Sequence, residues 1–304
     1  MKARSLAYIQ LHVAVLLYGL TAILGDLISI SALSLVWWRV LLTSLSLLIF
    51  IKFGYTVLQL PRRLLWIYAG IGVLVALHWL SFYGAIKLSN ASIVLAAMAS
   101  TSFFTSLLEP LITGRRFRLL ELILGLMIIP PMAMIAQNID LSMHRGLWVA
   151  ILSAFLASLF ASLNKRYVDH AGPFEISFIE MFSAFLTISL IAPFTIEHIS
   201  SLMPSMTDWV YLIILSLLCT SFAYVISMRA LKHLSAFDSN LVINLEPVYG
   251  ILLAVVILKE HQELNARFYI AVVLIMVIVF MHPFLQKRFY GREKVFQDHP
   301  EKLD

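Results

Sequence analysis

The chain has 304 residues, 61% of them hydrophobic and 13% charged, with a formal net charge of +5 and a mean hydropathy of +0.91. Soluble domains run nearer about 45–50% apolar and about 25% charged, so a soluble fold of this composition would have no polar surface to present. The basic excess then reads as the signature of cytoplasmic loops rather than of a nucleic-acid partner, and the lone Cys219 excludes a disulfide framework and a cysteine-based metal site.

A hydrocarbon core about 30 Å thick needs roughly 20 apolar residues per helix. On that measure the sequence predicts spans at about 6–25, 33–51, 64–86, 92–113, 119–136, 146–163, 174–196, 208–228, 238–258 and 267–285, with a polar tail after Gln286. The first apolar run is longer than a signal-peptide core and no small-residue cleavage site follows it, so it reads as an uncleaved helix. Span two carries Arg39 after Trp37-Trp38. The guanidinium either pairs with a carboxylate, from Glu246 or a substrate, or snorkels to the outer interface beside the tryptophans. In span three His78, Trp79, Phe82 and Tyr83 share one face. That face is either a cavity wall for amphipathic or aromatic ligands or plain packed core; His12 and Tyr18 of span one and Tyr224 of span eight read the same way.

Small residues recur at helical spacing in span four (Ala96, Ala97, Ser100, Thr101, Thr105) and in span six (Ala150, Ser153, Ala154, Ala157, Ser158, Ala161, Ser162). They predict close helix–helix packing. Pro130-Pro131 and Pro193 predict kinks in spans five and seven, as Pro110 does in span four. Glu109 and Glu180 are carboxylates near the cytoplasmic ends of their spans, where a glutamate can reach water.

Span nine, NLEPVYGILLAVVILKEH from Asn244, sets Glu246 and Pro247 side by side in an apolar run. Proline has no N–H, so the carbonyl of Ile243 loses its helical partner and needs another, with Asn244 and Tyr249 within a turn. The pair either lines a polar midplane cavity, where Glu246 binds a substrate ammonium or carries a coupling proton, or it is a structural glutamate bonded to a neighbouring helix.

With the N-terminus inside, the outside loops hold Lys87, Arg145, Lys259 and Arg267, Arg39 lies within a span, and the other 17 of the 22 Lys and Arg fall inside. That bias predicts both termini in the cytoplasm. GAIKLSNASIVLAAMASTSFFTSLLEPLITGRRF from Gly84 and RALKHLSAFDSNLVINLEPVYGILLAVVILKEHQ from Arg229 align at an offset of 145, which pairs Glu246 with Thr101. Matching the two Leu-Glu-Pro triplets instead would need a slip inside a span. Five spans precede residues 137–145 and five follow, so the second half enters the membrane from the opposite side. The predicted fold is an all-α membrane protein of ten transmembrane helices in two inverted five-helix repeats: residues 1–140 and 141–286, with a cytoplasmic tail at 287–304.

LEPVYGILLAVVILKEH, LVWWRVLLTSLSLLI with Arg39, and LLYGLTAILGD resemble the fourth helix of the second half, the second helix and the first helix of the EamA branch of the drug/metabolite transporter superfamily. The first half departs from the pattern, with Ser102 where the family's proline stands and Arg115 where its glutamate stands. The resemblance implies a bacterial cytoplasmic-membrane transporter, an exporter by the family's usual habit, of small metabolites such as amino acids. It would work by alternating access around a cavity between the repeats, with a substrate gradient or protons as driving force. The residues expected to bind substrate or couple transport are Glu246, Asn244, Tyr249, Arg39, His78, Trp79, Tyr83, Tyr18 and Glu180, with Pro247 and Pro110 as helix kinks. The partners are the lipid bilayer and a small-molecule substrate, with no nucleic acid, metal or cofactor, in a monomer or homodimer. The alternative is a polytopic intramembrane enzyme acting on lipid. It needs a nucleophile or metal constellation, and no H-E-x-x-H or G-x-S-x-G occurs; no phosphate-binding loop occurs either. A non-transporting scaffold would call for longer loops or a soluble domain.

Overall fold

The computed structural model describes residues 2–51, 57–195, 203–234, 242–243, 245–259 and 264–290, and every regular element among them is helical. In chain order these are α1 (Lys2–Leu27), α2 (Ala32–Leu48), α3 (Arg62–Leu88), α4 (Ala91–Met98), α5 (Thr101–Thr113), α6 (Leu119–Leu126), α7 (Ile129–Asn138), α8 (His144–Tyr167), α9 (Pro173–Thr195), α10 (Met206–Ile213), α11 (Ala223–His233), α12 (Glu246–Leu253) and α13 (Ala266–Tyr290). A π-helical stretch, Ile214–Phe222, joins α10 to α11, and a second, Ala254–Leu258, extends α12. Seven helical stretches are long and apolar enough to cross a membrane; Ala32–Leu48, Glu246–Leu258 and Ala266–Ile278 are shorter apolar helices. Residues 238–241 of predicted span nine and the tail beyond 290 lie outside the described residues.

Polar side chains set the helix starts. Ser31 accepts from the amide of Ser34 to cap α2, and Asn90 accepts from Ile93 to cap α4. Ser205 and Asp208 form a capping box on α10. Asp208 also takes the amide and hydroxyl of Ser29, each at 2.7 Å, and so ties the α1–α2 turn to α10.

The repeat register is visible in the backbone. α5 restarts at Thr101 and α12 starts at Glu246, 145 positions later. Gly114 and Lys259, again 145 apart, close the two helices in the left-handed conformation, at φ 75° and 58°. Glycine adopts that conformation freely, whereas a side chain there costs roughly 1 kcal/mol. Lys259→Gly is therefore expected to raise stability by about 0.5–1 kcal/mol, read as a higher thermal midpoint. An unchanged midpoint would mean that Lys259 is not held left-handed.

Packing between the halves comes in swapped pairs. Under the register α1 matches α8, α2 matches α9, α3 matches α10–α11, α4–α5 match α12, and α6–α7 match α13. α3 packs on α8 as α11 packs on α1. α4 and α5 pack on α8 as α12 packs on α1, and α3 packs on α9 as the first π stretch packs on α2. α2–α9 and α7–α13 are their own counterparts. Reciprocity of this kind is what a two-fold relation between two like units produces.

Small residues make these approaches close. Thr105 and Ser158 bond across α5 and α8 at 2.9 Å, and Ala150, Ser153, Ala154, Ala157 and Ser162 of α8 are buried, as the small-residue stripes predict. At the α1–α12 crossing a Cβ on Gly19 would stand 3.0 Å from the amide nitrogen of Gly250 and 3.3 Å from the carbonyl oxygen of Glu246.

The prolines act differently from expectation. Pro247 sits in the first turn of α12, where a missing N–H costs nothing, just after a turn at Leu245. Pro130-Pro131 likewise opens α7 after a break at Met127–Ile128. α5 runs through Pro110 unbroken from Thr101 to Thr113; the interruption in the first half falls earlier, between α4 and α5. Pro193 lies inside α9 near its end.

Candidate functional site

Arg39 is the hub. It is 2% exposed. Its Nε donates to Thr220 Oγ1 at 2.8 Å and its Nη1 to Tyr83 Oη at 2.6 Å. The guanidinium lies over the Trp79 ring, 3.8 Å from the centroid. Nη2 has no acceptor among the described residues and is not fully enclosed. The π stretch helps to bring Thr220 there, because its hydroxyl donates five residues back to the carbonyl of Leu215 at 2.6 Å.

Snorkelling is thereby excluded for Arg39. Its neighbouring tryptophans also pack inward: Trp37 Nε1 donates to Ser189 on α9 at 2.9 Å, and Trp38 meets the Trp209 ring edge-on. They form a seam between α2 and the second half, not an interfacial belt.

Glu246 opens α12, where its charge complements the helix N-terminus. It is partly exposed although α12 is wedged between α1 and α4, and its carboxylate has no hydrogen-bond or ion-pair partner among the described residues. Arg39 is the charged side chain whose field reaches it, but the two make no direct ion pair. Tyr18 and Tyr83 feel both charges, and Tyr18 Oη donates to the Ala223 carbonyl at 3.4 Å. The result is a separated pair, a buried guanidinium and an unpartnered carboxylate, with Tyr18 and Tyr83 within reach of both charges and the Trp79 ring against Arg39.

The other expected residues fall elsewhere. His78 is locked into the α3–α8 contact, its Nδ1 2.9 Å from the Ser153 carbonyl oxygen and 2.8 Å from the Ser153 hydroxyl, with Phe160 packed on its ring. Tyr249 sits in a small apolar cluster with Tyr8, Leu11 and Val15. Asn244 lies outside the described residues. Neither Glu180 nor Glu109 reaches water: Glu180 is 0% exposed and Glu109 4%. Glu180 is capped by Tyr224 and Asn164, and Glu109 pairs with Arg115 at 3.2 Å, which also grips Glu121. Position near a helix end did not expose them because neighbouring helices close over both. Thr220 and Asn164 were missed in the sequence. Thr220 is one hydroxyl in an apolar run, and Asn164 was masked by the adjacent Lys165-Arg166.

The sequence profile of the EamA-like transporter family matches residues 5–136 and again 144–282. This chain belongs to the EamA-like transporter family. The two matches are the two repeats, and the family and the apolar helices together make the chain an integral membrane protein. No curated protein matches it. Among solved structures 21 chains match. One of them, titled "Crystal structure of protein", superposes with a TM-score of 0.67 at 17% identity, covering 93% of this chain and 98% of that one. At that identity the likeness speaks for the fold. Arg39 lies in the first matched repeat and Glu246 in the second, and both sit where the two repeats pack on one another.

Proposed function

We propose that the protein is a secondary-active transporter of small zwitterionic metabolites, amino acids among them, and that it works as an exporter in a bacterial cytoplasmic membrane. The observation that carries the reading is the separated pair of Arg39 and Glu246. A free amino acid presents a carboxylate and an ammonium a few ångströms apart. Nη2 of Arg39 has hydrogens to give the first, and Glu246 has lone pairs for the second. Trp79, Tyr83 and Tyr18 supply an amphipathic wall for the side chain.

In this reading Ala32–Leu48, Glu246–Leu258 and Ala266–Ile278 also cross the membrane, making ten spans. Five per repeat inverts the second repeat, and the excess of inside Lys and Arg sets both termini in the cytoplasm. The breaks at Thr101 and Glu246 then lie near the midplane, where interrupted helices form substrate sites in transporters of inverted repeats. Glu246 is also the group placed to exchange a coupling proton with the cavity. The bland alternative of a glutamate bonded to a neighbouring helix is weakened by its lack of a partner. Membership in a family of transporters favours transport over lipid enzymology.

A thermal-stability screen of the purified protein tests the ligand class, since a ligand that binds only the folded state raises the midpoint. Neutral amino acids are expected to stabilise, and their decarboxylated amines and deaminated acids are not. Equal stabilisation by the amines would assign the site to cations. Glu246→Gln is expected to weaken amino-acid binding about 10-fold or more, since a hydrogen bond to a charged group contributes about 1.5–3 kcal/mol. Unchanged binding would remove Glu246 from the site.

A further inference from the structure

Away from that pair three buried polar side chains meet: Glu180 from α9, Asn164 from α8 and Tyr224 from α11. Glu180 is 0% exposed, Asn164 2% and Tyr224 6%. Tyr224 Oη donates to Oε2 of Glu180 at 2.5 Å. Asn164 Nδ2 donates to the same oxygen at 3.3 Å and to Tyr224 Oη at 3.0 Å. The hydroxyl hydrogen and both amide hydrogens are then used. Oε1 of Glu180 and Oδ1 of Asn164 remain buried with no donor. Turning the Asn164 amide over does not cure this, because it sets Oδ1 against Oε2 and leaves the number of hydrogens unchanged.

The cluster is therefore short of donors for two oxygens and carries no compensating charge. The titratable groups facing Glu180 are Tyr224 from α11 and Tyr68 from α3, the latter donating to the Tyr167 carbonyl at 2.9 Å; α8 brings only the neutral Asn164. From α2, which also packs on α9, Trp37 bonds Ser189 and Arg39 is engaged with Thr220 and Tyr83. No lysine, arginine or histidine among the described residues neutralises the carboxylate. A buried carboxylate with neither a cation nor a full set of donors is costly. One hydrogen on the carboxyl removes the charge that nothing in the cluster compensates, whereas two orphan oxygens are too few to strip an alkali cation of its water.

We propose that Glu180, Asn164 and Tyr224 form an occluded proton-binding site, with Glu180 holding the proton in this conformation. The site is separate from the Arg39–Glu246 pair and stands on burial and hydrogen-bond geometry alone. It does not depend on the substrate reading. Tyr224 lies within electrostatic reach of Tyr18, and Tyr18 of Glu246. Movement of α11 away from α9 would remove the Tyr224 donor and open the site.

The infrared spectrum of the purified protein near neutral pH tests this, through the carbonyl stretch of a protonated carboxyl and its downshift in heavy water. One component of that band is expected to vanish in Glu180→Gln and to persist in Glu246→Gln. Glu180→Gln should keep the wild-type thermal midpoint, because a neutral amide of the same shape stands in for a neutral acid. In Tyr224→Phe the component should move to higher frequency as Oε2 loses its closest donor, which keeps the test open if Glu180→Gln fails to fold. A wild-type spectrum without a protonated-carboxyl band overturns the proposal, as does a Glu180→Gln spectrum identical to wild type or an unshifted band in Tyr224→Phe. Stabilisation by sodium over potassium in wild type, lost in Glu180→Gln, would make it a metal-cation site instead.

Discussion

Arg39→Gln is expected to lower affinity for a neutral amino acid by about 10- to 100-fold, the equivalent of about 1.5–3 kcal/mol for charge-assisted hydrogen bonds. The fold should survive, because glutamine can still donate to Thr220 or Tyr83, which now take Nε and Nη1 at 2.8 and 2.6 Å. Stability should fall as well. The guanidinium over Trp79 at 3.8 Å contributes about 2 kcal/mol when desolvated. Glu246 would also lose the one charge that reaches it. Arg39→Gln combined with Glu246→Gln should therefore cost less stability than the two single losses together, as coupled neighbours do in a double-mutant cycle. Strict additivity in thermal or denaturant unfolding would mean that the two charges do not act on one another. Arg39→Lys is expected to be only partly active, since an ammonium cannot serve Thr220, Tyr83 and a ligand carboxylate with one planar fork.

Gly72→Ala is expected to be the most damaging single methyl group in the protein. Its Cβ would overlap the carbonyl oxygen of Glu180 and stand 2.9 Å from Glu180 Cα and 2.8 Å from Ser183 Cβ. Two of those three obstacles are backbone, so no rotamer change relieves them, and α3 and α9 must separate. Overpacking of this sort costs about 1–3 kcal/mol. It also disturbs the Glu180 cluster and the α3 face that carries Trp79 and Tyr83. Gly84→Ala in the same helix meets nothing within 4 Å and should stabilise by about 0.5–1 kcal/mol, because alanine is the better helix residue. Thermal midpoints of the two variants, side by side, separate crowding at Gly72 from a general effect of removing glycine. Equal midpoints would mean that α3 and α9 do not touch there.

Much of the fold was legible because membrane burial leaves a plain record. The apolar runs gave the helices, and the 145-residue offset paired Thr101 with Glu246, where α5 and α12 begin, but neither the restarts inside the predicted spans nor the left-handed ends at Gly114 and Lys259 were legible. The small-residue stripes predicted close helix packing, of which the α5–α8 contact is an instance. The site was legible only in part. Arg39 and Glu246 stood out because an ionisable residue in an apolar run is costly. Which helix each one faces did not, since lipid and core are both apolar and one hydrophobic face looks like another. On α13, for example, Ala271 and Ile275 are buried while Val273 and Val277 are exposed, and nothing in their chemistry separates them. For the same reason His78 read as a possible cavity group although it is bonded to Ser153, and Glu180 read as near water although three helices enclose it. Pro247 was legible as an interruption of an apolar run, and only the backbone shows that it falls in the first turn of α12.

Counterflow in proteoliposomes tests the central claim most directly. Vesicles loaded with an unlabelled neutral amino acid should take up the labelled compound faster than protein-free vesicles. That uptake should be lost in Arg39→Gln, be reduced in Glu246→Gln and persist in Gly84→Ala. Uptake that no amino acid loading can drive, or uptake that is unchanged in Arg39→Gln, would contradict a zwitterion transporter built on these two side chains.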